Sequence, residues 1–208
     1  MLVLSLYDST LTALRPWAAE GHRCVAVDVL HPSGWSQFRR TGIQLWGGDI
    51  RAFPGCDSVP DIVMAWPPCT HLALSGARWW KPKGPEALAE AMELVEAGRK
   101  WCRQAKIGGF IENPVGRLAT HWRKPDSYWD PFEYAGYPGG ENDRYRKRTC
   151  MWLFGRVVMP DPRPLPICEL TRNRIHRASG WDKKKQKAMR SATPRGFAQA
   201  FFEANKHW

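Results

Sequence analysis

The sequence predicts an α/β protein with a mostly parallel sheet and helices on both faces, and two observations carry that prediction. Short apolar runs at residues 2–7, 24–28, 61–66 and 108–113 have the length and content of buried strands. Between the last two, Pro85 to Lys106 carries apolar residues at 88, 91, 92, 95 and 102, which is a helical period with charges between. A strand, a long helix and a second strand in that order make a crossover unit whose strands lie parallel and side by side. With 208 residues and 43% hydrophobic composition, the chain suits one domain spanning 1–208.

Residues 2–7 read as the first strand, followed by a polar turn, Asp8-Ser9-Thr10, and a helix from about Leu11 to Glu20. Ser9 and Thr10 suit an N-cap. Gly21 ends that helix, and Cys24 to Asp28 form the second strand with an acid at its tip, where ribose hydroxyls are accepted in nucleoside-binding folds. His31 to Gly47, with Trp35, Arg39 and Arg40, shows no period and reads as a short helix or a substrate-side loop. Gly48-Asp49 reads as a turn, and Asp57 to Pro60 as another that leads into the next strand.

That strand, Asp61 to Trp66, must stop at Pro67-Pro68, which cannot continue a ladder, so Cys69 is delivered at its carboxyl end. Ligands bind at that edge of an open α/β sheet. A cysteine alone at such a place is most simply an inert thiol. The following strand, however, drives Glu112-Asn113-Pro114 to the same edge. His71 and Ser75 are either substrate contacts or parts of a capped turn.

Residues 117–143 are rich in Trp, Tyr, Pro and Gly without a period, and Arg144 to Gly155 runs from a basic cluster into a strand. Pro160 to Pro166 holds four prolines and reads as an extended connector. Arg172 to Arg190 is strongly basic and is either a phosphate clamp or a solvated surface. Cys168 and His176 do not make a four-ligand zinc site, so no metal is expected. Ser191 to Ala198 leads into a closing helix.

The stretches PPCTHLALSG, IENPVGRL and KRTCMW, in that order, resemble the DNA cytosine carbon-5 methyltransferase family, and most closely its short phage and prophage branch. The resemblance implies a Rossmann-like S-adenosylmethionine-dependent methyltransferase fold with a reduced target-recognition region. Small substrate-side insertions fall near 117–143 and 156–190. It implies Cys69 as the nucleophile, Glu112 as the group that hydrogen-bonds the cytosine ring, and Arg148 as a charge beside the thiolate. S-adenosyl-L-methionine would lie on Tyr7, Asp8, Ser9 and Thr10, with Asp28 on its ribose, Asp49 on its adenine and Pro67 alongside. Substrate would meet Pro68, Thr70, Asn113 and Arg146, with Asn113 orienting its loop. Four departures from the family stand out: the cofactor loop lacks the family's glycines, Thr70 replaces the usual Gln or Asn, a proline follows Asn113, and above all the chain is short, with only residues 117–143 and 156–190 spare for target recognition.

A net charge of +11 and a pI near 9.7 favour a polyanionic partner, and nucleic acid is the obvious one. Twelve tryptophans are many for this length; Trp79-Trp80 beside Lys81 and Lys83 interleave ring and charge as base-stacking surfaces do. No run is long enough for a membrane span, and the N-terminus lacks a signal pattern, so the expected compartment is the cytoplasm. Six scattered cysteines are expected as reduced thiols. The expected activity is methyl transfer to carbon-5 of cytosine in DNA, duplex or single-stranded, by a monomer or weak dimer. Two alternatives stay open: the same chemistry on a free cytosine nucleotide such as dCMP, or a non-catalytic nucleic-acid-binding module with a decayed cofactor site.

Overall fold

The computed structural model describes residues 1–38, 41–169 and 191–208. The strands are β1 (Leu2–Leu6), β2 (Arg23–Phe38), β3 (Ile43–Gly47), β4 (Ile62–Ala65), β5 (Gly108–Pro114), β6 (Ser127–Trp129) and β7 (Thr149–Gly155). The helices are α1 (Arg15–Ala19), α2 (Trp80–Gln104), α3 (Leu118–His121) and α4 (Arg195–Asn205). Among the described residues the strands form a single seven-stranded sheet in the order β3-β2-β1-β4-β5-β7-β6. β1 pairs parallel with β2 and β4, and β4 with β5, while β7 runs antiparallel to both of its neighbours. This is the expected Rossmann-like α/β architecture, with the crossover helix α2 placing β4 and β5 side by side.

Successive side chains of a strand point to opposite faces, and each face has its own core. Val3, Ile62, Met64 and Phe110 meet α1 and α4 through Trp17, Phe197 and Phe201, all buried. Leu4, Val63 and Ile111 meet α2 through Ala91, Val95 and Cys102 on the other face. The first core is largely aromatic: Trp129 stacks on Phe197 at 4.1 Å, and Trp17 meets Phe202 edge-on at 5.1 Å. Truncating a ring such as Phe201 to alanine there costs about 3–5 kcal/mol.

Two segments depart from the sequence reading. Within the segment His31 to Gly47 the described residues are largely strand rather than a loop or a short helix: Cys24 to Asp28 pair parallel with β3, then the register reverses, with Trp35 opposite Trp46 and Phe38 opposite Ile43. The chain therefore turns after Asp28 and returns along the other edge of β3. Its residues alternate between half-buried and exposed, a pattern too short and too polar to declare a strand. The first helix begins at Arg15 rather than Leu11, because Leu11 has a left-handed backbone, φ 61°, and gives its N–H to the Asp8 carboxylate at 2.8 Å. The aperiodic stretch 117–143 contains α3, β6 and a 3-10 turn at Pro131–Tyr134.

Helix α2 is kinked at Gly84 (φ 74°, ψ 178°), so its regular part starts at Pro85, as the periodicity predicts. A Cβ at Gly98 would lie 3.2 Å from the Ala65 Cβ, and the glycine lets α2 rest against the end of β4. Because β1, the first half of β2 up to Asp28, β3, β4 and β5 are parallel, these segments end on one edge. Antiparallel β7 brings its beginning to that same edge.

Candidate active site

A cavity of about 1060 Å³ occupies this edge. Its first wall is the turn after β1. Tyr7, Asp8, Ser9 and Thr10 all line it. Asp8 is 3% exposed, and its carboxylate accepts from the Ser5 hydroxyl at 2.9 Å, the Thr10 hydroxyl at 3.0 Å and the Leu11 N–H at 2.8 Å. Burial nonetheless pushes its carboxyl above the usual range, against those three donors. Tyr7 and Leu11 sit at φ 62° and 61°, left-handed conformations that non-glycine residues rarely adopt. The loop thus takes a glycine-like path without glycines. Asp8 below and the Tyr7 hydroxyl, which donates to the Leu94 carbonyl at 2.6 Å, hold the strained turn in place.

The second wall follows β2 and β3. Asp28 accepts the Leu30 N–H at 2.8 Å and faces the cavity, where burial raises its pKa. Asp49 caps the 3-10 turn Ile50–Ala52 and is bound in a fork by Arg51, which holds its carboxyl below the ordinary range. Arg51 also reaches Glu93 on α2 at 2.9 Å.

The third wall carries the thiol. After β4, Trp66, Pro67, Pro68, Cys69 and Thr70 line the cavity in succession. Trp66 is fixed by a hydrogen bond from its Nε1 to the Ser5 hydroxyl at 3.2 Å and by edge-on contact with Phe110 at 4.9 Å. Half-buried Cys69 begins a tight turn, its carbonyl accepting from Leu72 at 3.0 Å and Ala73 at 2.8 Å. Glu112, at the end of β5, lines the same cavity. Its carboxyl is pushed up by burial, while the Lys147 charge and the Thr149 hydroxyl act in opposition. Asn113 is fully buried and reaches the site indirectly: its Nδ2 donates to the Pro67 carbonyl at 2.8 Å. That bond ties the β5 end to the proline turn that aims Cys69.

Arg148, just before β7, lines the cavity and is steadied by Asp130 at 3.2 Å, whose other oxygen accepts the Lys147 N–H at 2.8 Å. Arg146 does not line the cavity; its guanidinium lies 5.8 Å from the Phe132 ring. Of the sequence-derived site residues, then, Asn113 is buried behind the cavity wall, Arg146 is exposed away from the lining, and the others stand on the wall. Ser75 lines the cavity as well; its partner in the sequence reading, His71, does not. The basic stretch Arg172 to Arg190 and His176 lie outside the described residues.

Sequence reasoning overlooked Asp130, which sits in an aperiodic segment, and Trp66, which reads as one more core tryptophan. Ser191 and Thr193, in the stretch read as leading into the closing helix but not singled out as site residues, line the cavity just ahead of α4. Among the described residues no group of three or more His, Cys, Asp or Glu is placed to hold a metal ion, and no helix is long and apolar enough to cross a membrane.

No protein-family model matches the chain, and no curated protein sequence matches it. Its fold does have a counterpart among solved structures. The crystal structure of an inferred DNA modification methyltransferase encoded within an E. coli prophage superposes with a TM-score of 0.51 at 10% sequence identity. The match covers 80% of this chain and 53% of that one, so the chain spans about half the length of the structure it matches. At that identity the likeness is one of architecture: the chain folds as that methyltransferase does.

Proposed function

We propose that the chain is an S-adenosylmethionine-dependent methyltransferase acting on carbon-5 of cytosine in DNA through a covalent adduct at Cys69. The observation that carries this reading is the convergence of Cys69, Glu112 and Arg148, from three separate segments, on one cavity whose other end is lined by Asp28 and Asp49. A single thiol would mean little. A thiol, a proton-holding carboxyl and a guanidinium around one space that also offers a nucleoside-type acceptor set describe a two-substrate reaction. The architecture shared with a DNA modification methyltransferase supports the same reading.

The residues fit the cofactor. The Asp28 carboxyl, its pKa raised by burial, suits vicinal ribose hydroxyls, Asp49 an exocyclic amine, and left-handed Tyr7 lies on the cavity wall. When bound, the sulfonium would supply a methyl group with the character of a cation. The chain's own residues do the rest. Cytosine carbon-5 is a poor nucleophile until aromaticity is interrupted, and Cys69 does this by forming a bond from Sγ to carbon-6. The positive charges of Lys147 and Arg148 favour the anionic sulfur. Glu112, whose raised pKa keeps it protonated to higher pH than an ordinary glutamate, donates to the ring nitrogen as electron density builds there. Asn113 holds the Pro67 carbonyl, and with it the direction of the thiol. After transfer a solvent water takes the carbon-5 proton, the freed electron pair forms the carbon-5 to carbon-6 double bond and expels Sγ as thiolate, and the ring-nitrogen proton returns to Glu112.

Incubation with labelled cofactor and cytosine-containing DNA tests the proposal. Label should appear in 5-methylcytosine with the wild type and should vanish with Cys69→Ser. Label appearing only on dCMP would move the reading to nucleotides. Absence of both label and cofactor-binding heat would leave a binding module.

A further inference from the structure

We infer that the mouth of this cavity is built to stack the unpaired bases on either side of the target, so that the preferred substrate is single-stranded DNA, with Trp79 and Tyr128 as the stacking platforms. The inference rests on the cytosine methyltransferase reading and names its substrate form. It begins with two large rings that the fold leaves open, Trp79 at 52% and Tyr128 at 47% exposure. Neither belongs to a core or lines the cavity, yet each neighbours residues that do. Trp79 ends the 3-10 turn Leu74–Trp79, whose Ser75 and Gly76 line it. Tyr128 lies on β6 beside cavity-lining Arg148, with that guanidinium 5.5 Å from its ring.

The two rings share a construction. Trp79 has the Arg78 guanidinium 5.2 Å from its ring, as Tyr128 has Arg148. A cation held on a ring leaves the rest of the ring for a base and places positive charge where the phosphate must pass. The neighbouring Trp80 differs in being half-buried, with the Arg117 guanidinium 4.7 Å from its ring. The segment bearing Trp79 is one-signed: from Thr70 to Pro85 there are three Lys or Arg and no acid. Tyr128 sits in a segment of mixed charge, but the stretch Arg144 to Arg156, which holds the strand paired with it, has five Lys or Arg and no acid. Such an arrangement fits a polyanion carrying aromatic faces, and bases present those faces only when they are not paired inside a duplex.

Fluorescence anisotropy with a short labelled strand containing one cytosine tests this, compared with the same strand carrying abasic sites flanking that cytosine and with its duplex. The wild type should bind the intact strand about tenfold more tightly than the abasic-flanked one, and more tightly than the duplex. Trp79→Ala and Tyr128→Ala should each weaken the intact strand about tenfold and leave the abasic-flanked strand nearly unaffected. Trp79→Phe and Tyr128→Phe should restore most of the loss, which separates stacking from misfolding. Equal binding of intact and abasic-flanked strands, or equal losses by the variants on both, would overturn the inference. Methyl transfer measured on the same strands keeps the two readings apart. Transfer indifferent to the flanking bases sinks the stacking platforms alone, whereas flank-dependent binding without transfer sinks the enzyme reading.

Discussion

The two ends of the cavity are held by different means. At the β1 to β3 end the carboxylates are held mostly by local bonds, Asp8 by Ser5, Thr10 and Leu11 and Asp49 by Arg51, with Tyr7 to Leu94 and Arg51 to Glu93 tying this wall to α2. At the β4 to β7 end the wall is fixed across the chain: Asn113 holds Pro67, 46 residues away, and Arg148 is held by Asp130 from another strand's end. A local network tolerates backbone strain, and the left-handed Tyr7 and Leu11 lie in the first region. A long-range network fixes a reactive side chain relative to its partners, and Cys69, Glu112 and Arg148 lie in the second. Variants at the first end should therefore act on stability and cofactor affinity, and variants at the second on turnover.

The largest effect is expected at the second end. Cys69→Ser should lower transfer by about a thousandfold or more while leaving cofactor affinity and melting temperature near wild type. An unchanged rate would break the distinction. Glu112→Gln should lower turnover by about a hundredfold to ten-thousandfold. In the wild type, turnover should fall as pH rises through the raised pKa of Glu112, since the donated proton is then gone. A pH and rate profile lacking that limb in Glu112→Gln would assign it.

At the first end, Asp8→Ala would orphan two buried donors and the half-buried Thr10 hydroxyl and should destabilise by about 3 kcal/mol, read by denaturant titration, with a matching loss of cofactor binding. A smaller effect is expected behind the second end, where the carboxylate of Asp143 accepts the Gly196 N–H of α4 at 2.7 Å and burial lifts its pKa to about 6. The folded-state pKa is above the unfolded one, so this contribution is complete below about pH 4 and is lost as pH rises through about 6. Asp143→Asn should flatten the stability curve over that interval.

The comparison also explains what could be read from the sequence. β1, β4, β5 and α2 were legible because buried strands are short apolar runs and a covering helix has one apolar face. Pro67-Pro68 and Pro114 marked where strands stop, which located Cys69 and Glu112 at one edge. The return strand after Asp28 was illegible, since its inner and outer faces are both half-polar. The strain at Tyr7 was illegible for another reason: missing glycines suggest a changed loop, whereas the Asp8 network keeps the path they usually permit. Asp130 carried no signal at all, because its role depends on β6 and β7 being neighbours.

The central claim is a bond between the Cys69 sulfur and carbon-6 of a cytosine. The most direct measurement is mass spectrometry of the tryptic Cys69 peptide after incubation with cofactor and a strand carrying 5-fluorocytosine, where fluorine replaces the hydrogen that must leave and the adduct persists. The account predicts a Cys69 peptide heavier by the methylated nucleotide and absent in Cys69→Ser. Methylation of ordinary cytosine with no adduct at residue 69 would contradict it.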